Sequence, residues 1–152
     1  MTTLAARTQR CWEDVAEGEE LTGFDLRLTE TKITEQVSGS QDFYAVHHDR
    51  AFARAGGHED IFVNTGFTRA ALSRLLTDYV GARGWVCSLS YQMRRMNRPG
   101  DVMKLRGKVV SKYIAPDGSH RLDLEVWVEN DREGVTTPAT ATVRLPTRGE
   151  TR

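Results

Sequence analysis

The segment QDFYAVHHDR, residues 41–50, sets Asp42 five residues ahead of His47, with His48 and Asp49 directly after it. A carboxylate and an imidazole held near one water can both accept its proton and share the work between steps. Five residues of turn are enough to bring the two side chains together, although the spacing does not require it. A second reading stays open on spacing alone, in which Asp42 caps the turn that follows and His47 holds a backbone carbonyl. A third is a metal site built from His47, His48, Asp49 and His58, all of suitable ligand type. Adjacent histidines usually diverge, however, and the chain has no HxH, HExxH or CxxC spacing, so no metal is expected.

These groups have to be positioned by one domain, because 152 residues are a usual size for a single hydrophobic core. Twenty-one basic and twenty-one acidic residues cancel, which leaves no net field to draw nucleic acid or an anionic membrane. Hydrophobic residues make up 39% of the chain, adequate for a fold that hides further surface in an oligomer. No apolar run nears the roughly 20 residues of a membrane span. The start, MTTLAARTQRCW, lacks the apolar core of a secretory signal. Cys11 and Cys87 are too few and too far apart for a disulfide framework or a zinc site. A reduced, cytoplasmic compartment is the expectation.

Residues 1–22 read as a polar lead-in, with EDVAEGEE exposed, and 147–152 as a polar tail. GFDLRLTE (23–30) alternates Phe24, Leu26 and Leu28 against polar neighbours and predicts a half-buried strand. Residues 31–60 carry the motif on a loop with a short AFARA helical turn, ended by Gly56 and Gly57. NTGFTRAALSRLLTDYVG (64–81) is the best helix, with Asn64 or Thr65 to cap it and Gly81 to close it. Its wide apolar face needs cover on most sides. Ala70 and Ala71 would let a sheet approach it closely. The period then drops to two. Trp85, Cys87, Leu89, Tyr91 and Met93 share one face of WVCSLSYQM, and Leu105, Val109 and Tyr113 one face of KLRGKVVSKY. Leu122, Leu124, Val126 and Val128 follow in the next strand, then Ala139, Ala141, Val143 and Leu145. Turns at Pro116-Asp117-Gly118 and Asn130 to Gly134 make this an antiparallel meander. The economical packing is an α+β one, a curved antiparallel sheet wrapped around one long central helix. Trp127, on an otherwise charged face, would suit a subunit interface.

SGSQDFYAVHHDRAFARAGG, followed by a helix and four alternating strands, resembles the MaoC-like hotdog-fold hydratases and dehydratases. Their active-site segment reads approximately S-G-D-x-N-P-x-H-x-D, which Asp42, His47 and Asp49 match. RRMNRPGD (94–101) is similar to the family's basic Pro-Gly-Asp strand connection, and the likeness runs from about Trp12 to Pro146. DFYAVHHDR with DIFVN (60–64) looks closer to a branch acting on bulky acyl-CoA chains in steroid side-chain degradation. Tyr44 and Ala45 depart from the family's Asn-Pro and bear on substrate choice. Its His-Gly-Met at the helix start corresponds to Asn64, Thr65 and Gly66, whose amides would bind the thioester oxygen. A helix N-terminus can do so without a particular side chain, because its first amides are unpaired.

The resemblance implies reversible hydration of a 2-enoyl thioester to the (R)-3-hydroxyacyl product, with Asp42 and His47 as acid and base. It implies no metal or redox cofactor; coenzyme A or an acyl carrier is part of the substrate. Arg94, Arg95 and Arg98 suit the phosphates of coenzyme A, a solvated strand end being their other reading. His48 and Asp49 are read as supporting polar groups and His58 as loop surface. Two further functions are open: a hotdog thioesterase, and the catalytic half of a hydratase completed by a different hotdog chain. The expected assembly is otherwise a homodimer or higher homo-oligomer.

Overall fold

The computed structural model describes residues 9–150; residues 1–8 of the expected lead-in and 151–152 of the tail lie outside the described residues. In chain order the elements are β1 (Phe24–Arg27), α1 (Glu30–Ser40), α2 (Arg50–Ala55), α3 (Thr65–Val80), β2 (Trp85–Tyr91), β3 (Val102–Ile114), β4 (His120–Asn130) and β5 (Gly134–Arg144). A short 3-10 turn, Ala45–His47, carries the second half of the motif.

Helix α3 ends where its caps predict. The Asn64 side chain accepts the Phe67 amide at 2.7 Å, and Gly81, at φ 72°, closes the last turn. Leu72, Leu75 and Leu76 are at most 1% exposed, each contributing roughly 1.5–3 kcal/mol by leaving water. They lie on a sheet ordered β1-β3-β4-β5-β2, with every pairing antiparallel. Leu105, Val109, Leu122, Leu124, Val126, Val128, Ala141 and Val143 face α3 in the buried core, as the period of two predicts. Irregular register at Val86/Ser88, Val109/Ser111 and Val128/Glu129 adds local bend, and the sheet curls around the helix.

Five expectations are corrected. The strand at 23–30 stops at Arg27, because Thr29 caps α1 by accepting the Lys32 amide at 3.1 Å. The 31–60 loop in fact opens with α1, whose β-branched, serine and glycine content hides its helical character. Ile33, Gln36 and Val37 form its buried face. The lead-in is only partly exposed, since Val15 and Leu21 are buried and Trp12 packs against the core. In β2 the register shift breaks the alternation: Val86, Leu89 and Tyr91 pack inward, while Trp85 is 68% exposed and Cys87 is exposed. Of the two alanines on α3, Ala71 is buried and Ala70 is exposed, for a step of one residue turns Ala70 off the sheet-facing stripe toward α1.

Candidate active site

Asp42 and His47 leave the chain at two different corners that are brought to one point. α1 ends at Gln41, a non-glycine residue in the left-handed region at φ 57°, and this reversal delivers Asp42 beside the start of α3. The 3-10 turn then buries His47 to 6% exposure. Its Nδ1 lies 2.8 Å from the carbonyl oxygen of Phe62. A carbonyl only accepts, so Nδ1 carries the proton, and the Nε2 position, which holds the lone pair in this tautomer, lies on the other side. That Nε2 faces Asp42 Oδ2 at 3.6 Å, beyond direct hydrogen-bond reach. The other reading of His47, a ring held by a backbone carbonyl, thus describes one nitrogen and leaves the second available.

The Asn64 side chain works in both directions. Its Oδ1 is taken by the Phe67 amide, which turns Nδ2 toward Asp42 Oδ2 at 2.9 Å and Ser40 Oγ at 3.1 Å. Ser40 in turn donates to the Gln36 carbonyl at 2.7 Å. Capping at Phe67 leaves the Thr65 and Gly66 amides as the unpaired donors of the first turn. A Cβ at Gly66 would meet Asn64 Oδ1 at 3.4 Å, ordinary contact. The glycine is therefore not demanded by packing, but it keeps clear the mouth of a groove of about 590 Å³ between α1 and α3. Leu26, Phe67, Ala70 and Ala71 supply its apolar wall, and the volume falls in the range of small-molecule sites.

The remaining motif residues hold the segment in place. Asp49 caps α2 through the Phe52 amide at 3.0 Å, and His48 Nε2 lies 3.0 Å from the Phe43 carbonyl oxygen. Arg50 donates to Asp60 at 2.7 Å and to Glu30 at 2.5 Å, clamping α2 to the DIFVN segment and to α1. Those two carboxylates raise the guanidinium above its ordinary value. Desolvation pushes the Asp60 carboxyl up, but Arg50 and the Ile61 amide outweigh it and hold the group below 3.8. Tyr44 is 61% exposed and stands edge-on to His47, with ring centroids 6.3 Å apart.

Arg94, Arg95 and Arg98 border a different, smaller cleft together with His58 and Arg132. Carboxylates already meet two of them: Glu59 pairs with Arg98, and Glu133 with Arg95 at 3.6 Å. The Phe62 ring separates this cleft from the Asp42 corner, touching His58 on one side and His47 on the other. Beneath it lies a buried network. Asn97 donates to Thr136 Oγ1 at 3.1 Å, accepts from Asn130 at 2.8 Å, and takes the Val63 amide on its carbonyl at 3.1 Å. Among the described residues no three His, Cys, Asp or Glu side chains are grouped to hold a metal ion. No helix among them is long and apolar enough to cross a membrane.

Sequence reasoning missed Gln36, Ser40 and the side-chain role of Asn64. Only Asn64 had a local signal, as a helix cap; the other two gain meaning from α3, which lies elsewhere in the chain.

No protein-family model matches the chain. It is 35% identical over 63 residues to the 3-oxo-4,17-pregnadiene-20-carboxyl-CoA hydratase beta subunit of Mycobacterium tuberculosis, covering 41% of this chain. The chain spans about half the length of that relative, 49%. Among solved structures, a chain of the ChsH1-ChsH2 complex from Mycobacterium tuberculosis superposes with a TM-score of 0.76 at 27% identity, covering 86% of this chain and 98% of that one. The MaoC-like dehydratase from Rhodospirillum rubrum gives a TM-score of 0.78 at 20% identity over 91% of this chain and 97% of that one. This chain has the hotdog fold. In it the central hotdog helix is α3, and the motif segment from α1 to α2 lies over the helix's N-terminal end.

Proposed function

We propose that this MaoC-like chain catalyses reversible hydration of a 2-enoyl thioester, with Asp42 and His47 as the acid–base pair. The observation that carries the reading is two proton acceptors 3.6 Å apart, beside the unpaired amides of Thr65 and Gly66 and the mouth of an apolar groove. A water about 2.8 Å from both Asp42 Oδ2 and His47 Nε2 can sit astride them. As the pair removes its proton, hydroxide adds to the β-carbon and the π electrons move toward the thioester oxygen. The Thr65 and Gly66 amides stabilise that oxygen, whose charge exists only in the enolate. The proton held by the pair passes to the α-carbon, so one water is added and nothing is oxidised. The chemistry calls for no metal or redox cofactor. Coenzyme A or an acyl carrier enters as part of the substrate, and the acyl chain lies in the α1–α3 groove.

Partnership with a second hotdog chain is the companion proposal. It is supported by similarity to a protein named as a beta subunit and to a chain of a two-protein complex. Both Asp42 and His47 are present, so this chain is the catalytic half in any such pair. A stable homodimer by light scattering that is active alone would remove the need for a partner.

The test is hydration of a short 2-enoyl-CoA, followed by loss of enoyl-thioester absorbance, with Asp42→Asn and His47→Ala alongside. Activity lost in both variants supports the reading. Activity kept in either one overturns the role given to that residue. Release of free thiol would replace hydration with thioester hydrolysis.

A further inference from the structure

One residue holds His47 in two ways. Phe62 supplies the carbonyl oxygen 2.8 Å from Nδ1, and also a ring that stands edge-on to the imidazole, with centroids 5.1 Å apart and planes at 84°. The two contacts have separate origins. The Phe62–Val63 peptide is a planar trans unit, so its N–H and C=O point in opposite directions. The Val63 amide donates to the backbone carbonyl of Asn97 at 3.1 Å, which turns the Phe62 carbonyl the other way, onto His47. Arg50 ties the Asp60 end of the same segment at 2.7 Å. The backbone thus sets where this carbonyl points, whatever side chain stands at position 62.

The ring does what the carbonyl cannot. A single hydrogen bond fixes a direction but leaves the imidazole plane free to turn about it. His47 and Phe62 are both 6% exposed. The other ring against His47, that of Tyr44, is farther, at 6.3 Å, and 61% exposed. Phe62 also packs on His58 at 4.7 Å and borders the cleft that holds Arg94, Arg95, Arg98 and Arg132. It is therefore the partition between solvent in that cleft and the Nδ1 bond. Water admitted there would take the Nδ1 proton and donate to the carbonyl in its place. The imidazole would then be free to carry its proton on Nε2, since the partner of one nitrogen sets the protonation of the other. With a proton on Nε2, the ring has no lone pair to offer a water beside Asp42.

We propose that Phe62 is a positioning residue for the hydration, its ring holding His47 in the plane and tautomer that aim the Nε2 lone pair at the water shared with Asp42. The inference rests on the acid–base reading above. Phe62 acts in it through His47 and not on the substrate.

Nitrogen NMR reads the tautomer directly. In protein carrying isotope-labelled histidine, the ring nitrogens report which of them bears the proton, and His47→Ala identifies the His47 signals among the chain's four histidines. Spectra are taken at about pH 8, above the ordinary imidazole value. Wild type is expected to show His47 protonated on Nδ1 alone. Phe62→Leu and Phe62→Met keep the backbone carbonyl and an apolar side chain. In each, the Nε2-protonated form should appear, and kcat on a short 2-enoyl-CoA should fall about tenfold while KM stays within about twofold. A proton on Nε2 of wild-type His47 overturns the proposal without any variant. So does an unchanged tautomer in whichever variant folds, even where kcat falls, because the loss is then one of packing. A mixed tautomer with undiminished turnover overturns His47 as the base and the positioning role with it. Failure of wild type to hydrate the thioester removes the reaction itself, and the spectra separate that failure from the others because they need no substrate.

Discussion

Asn97 and His47 are both buried polar residues, and each braces the segment that leads into α3. Asn97 is 0% exposed and every polar group of its side chain is engaged, with Thr136 on the donor side and Asn130 on the acceptor side. The network extends without a gap, since Asn130 Oδ1 takes the Arg132 and Glu133 amides and Thr136 Oγ1 donates to the Val128 carbonyl. His47 spends one ring nitrogen on Phe62 and keeps the other facing Asp42 across 3.6 Å. Asp42 accepts from Asn64 and is 42% exposed at its side chain, so it retains lone pairs toward solvent. A saturated polar cluster can only hold the fold. One with spare acceptors, close to water and to unpaired amides, can exchange protons. The two corners share residue types and differ in what is left over.

That contrast makes specific demands, the largest at Asp42. Asp42→Asn should lower hydration by about a thousandfold, within the range of lost acid–base catalysis, and move the melting temperature by no more than a degree or two. Wild-type turnover in that variant would break the comparison at its active end. Asn97→Ala should do the reverse. It leaves the Asn130 amide and the Thr136 hydroxyl short of partners, costing about 2–4 kcal/mol in urea unfolding, while turnover per folded molecule stays within a few-fold. Asn64 belongs to both worlds, capping α3 and donating to Asp42. Asn64→Ala should therefore cost about 1 kcal/mol of stability together with about a tenfold fall in kcat, and a loss confined to one of the two would assign the residue to one role.

The smallest effect concerns the Arg50 clamp. The Asp60 carboxyl is held below 3.8 in the folded chain. Its contribution is thus complete above the ordinary carboxylate value and disappears as pH falls through the lower folded one. Melting temperatures across the acid range should fall less steeply in Asp60→Asn than in wild type, and identical slopes would show that the clamp is not coupled to folding.

How much of this was readable in the chain follows from where each signal resides. The strands β3 to β5 and the helix α3 declare themselves through period, Asn64 and Gly81, because alternation and capping are set by neighbours in sequence. The nearness of Asp42 to His47 was only permitted by their spacing. Gln41 in a left-handed turn and the anchoring of His47 on Phe62 made it so. α1 escaped because Thr34, Ser38, Gly39 and Ser40 disfavour a helix locally, and the burial of Ile33 and Val37 overrides that preference. The same burial traps Gln36, a residue that any local reading places in solvent.

The sequence by itself determined the strands β3 to β5, the helix α3 with its ends, and the inventory of chemical groups, since these depend on backbone propensity and side-chain chemistry over a few residues. Only the tertiary structure decided which of those groups are desolvated, paired or left with free acceptors. Burial and hydrogen-bond saturation are properties of whatever packs against a residue, and for Asp42, His47 and Gln36 that is a helix and a loop from elsewhere in the chain.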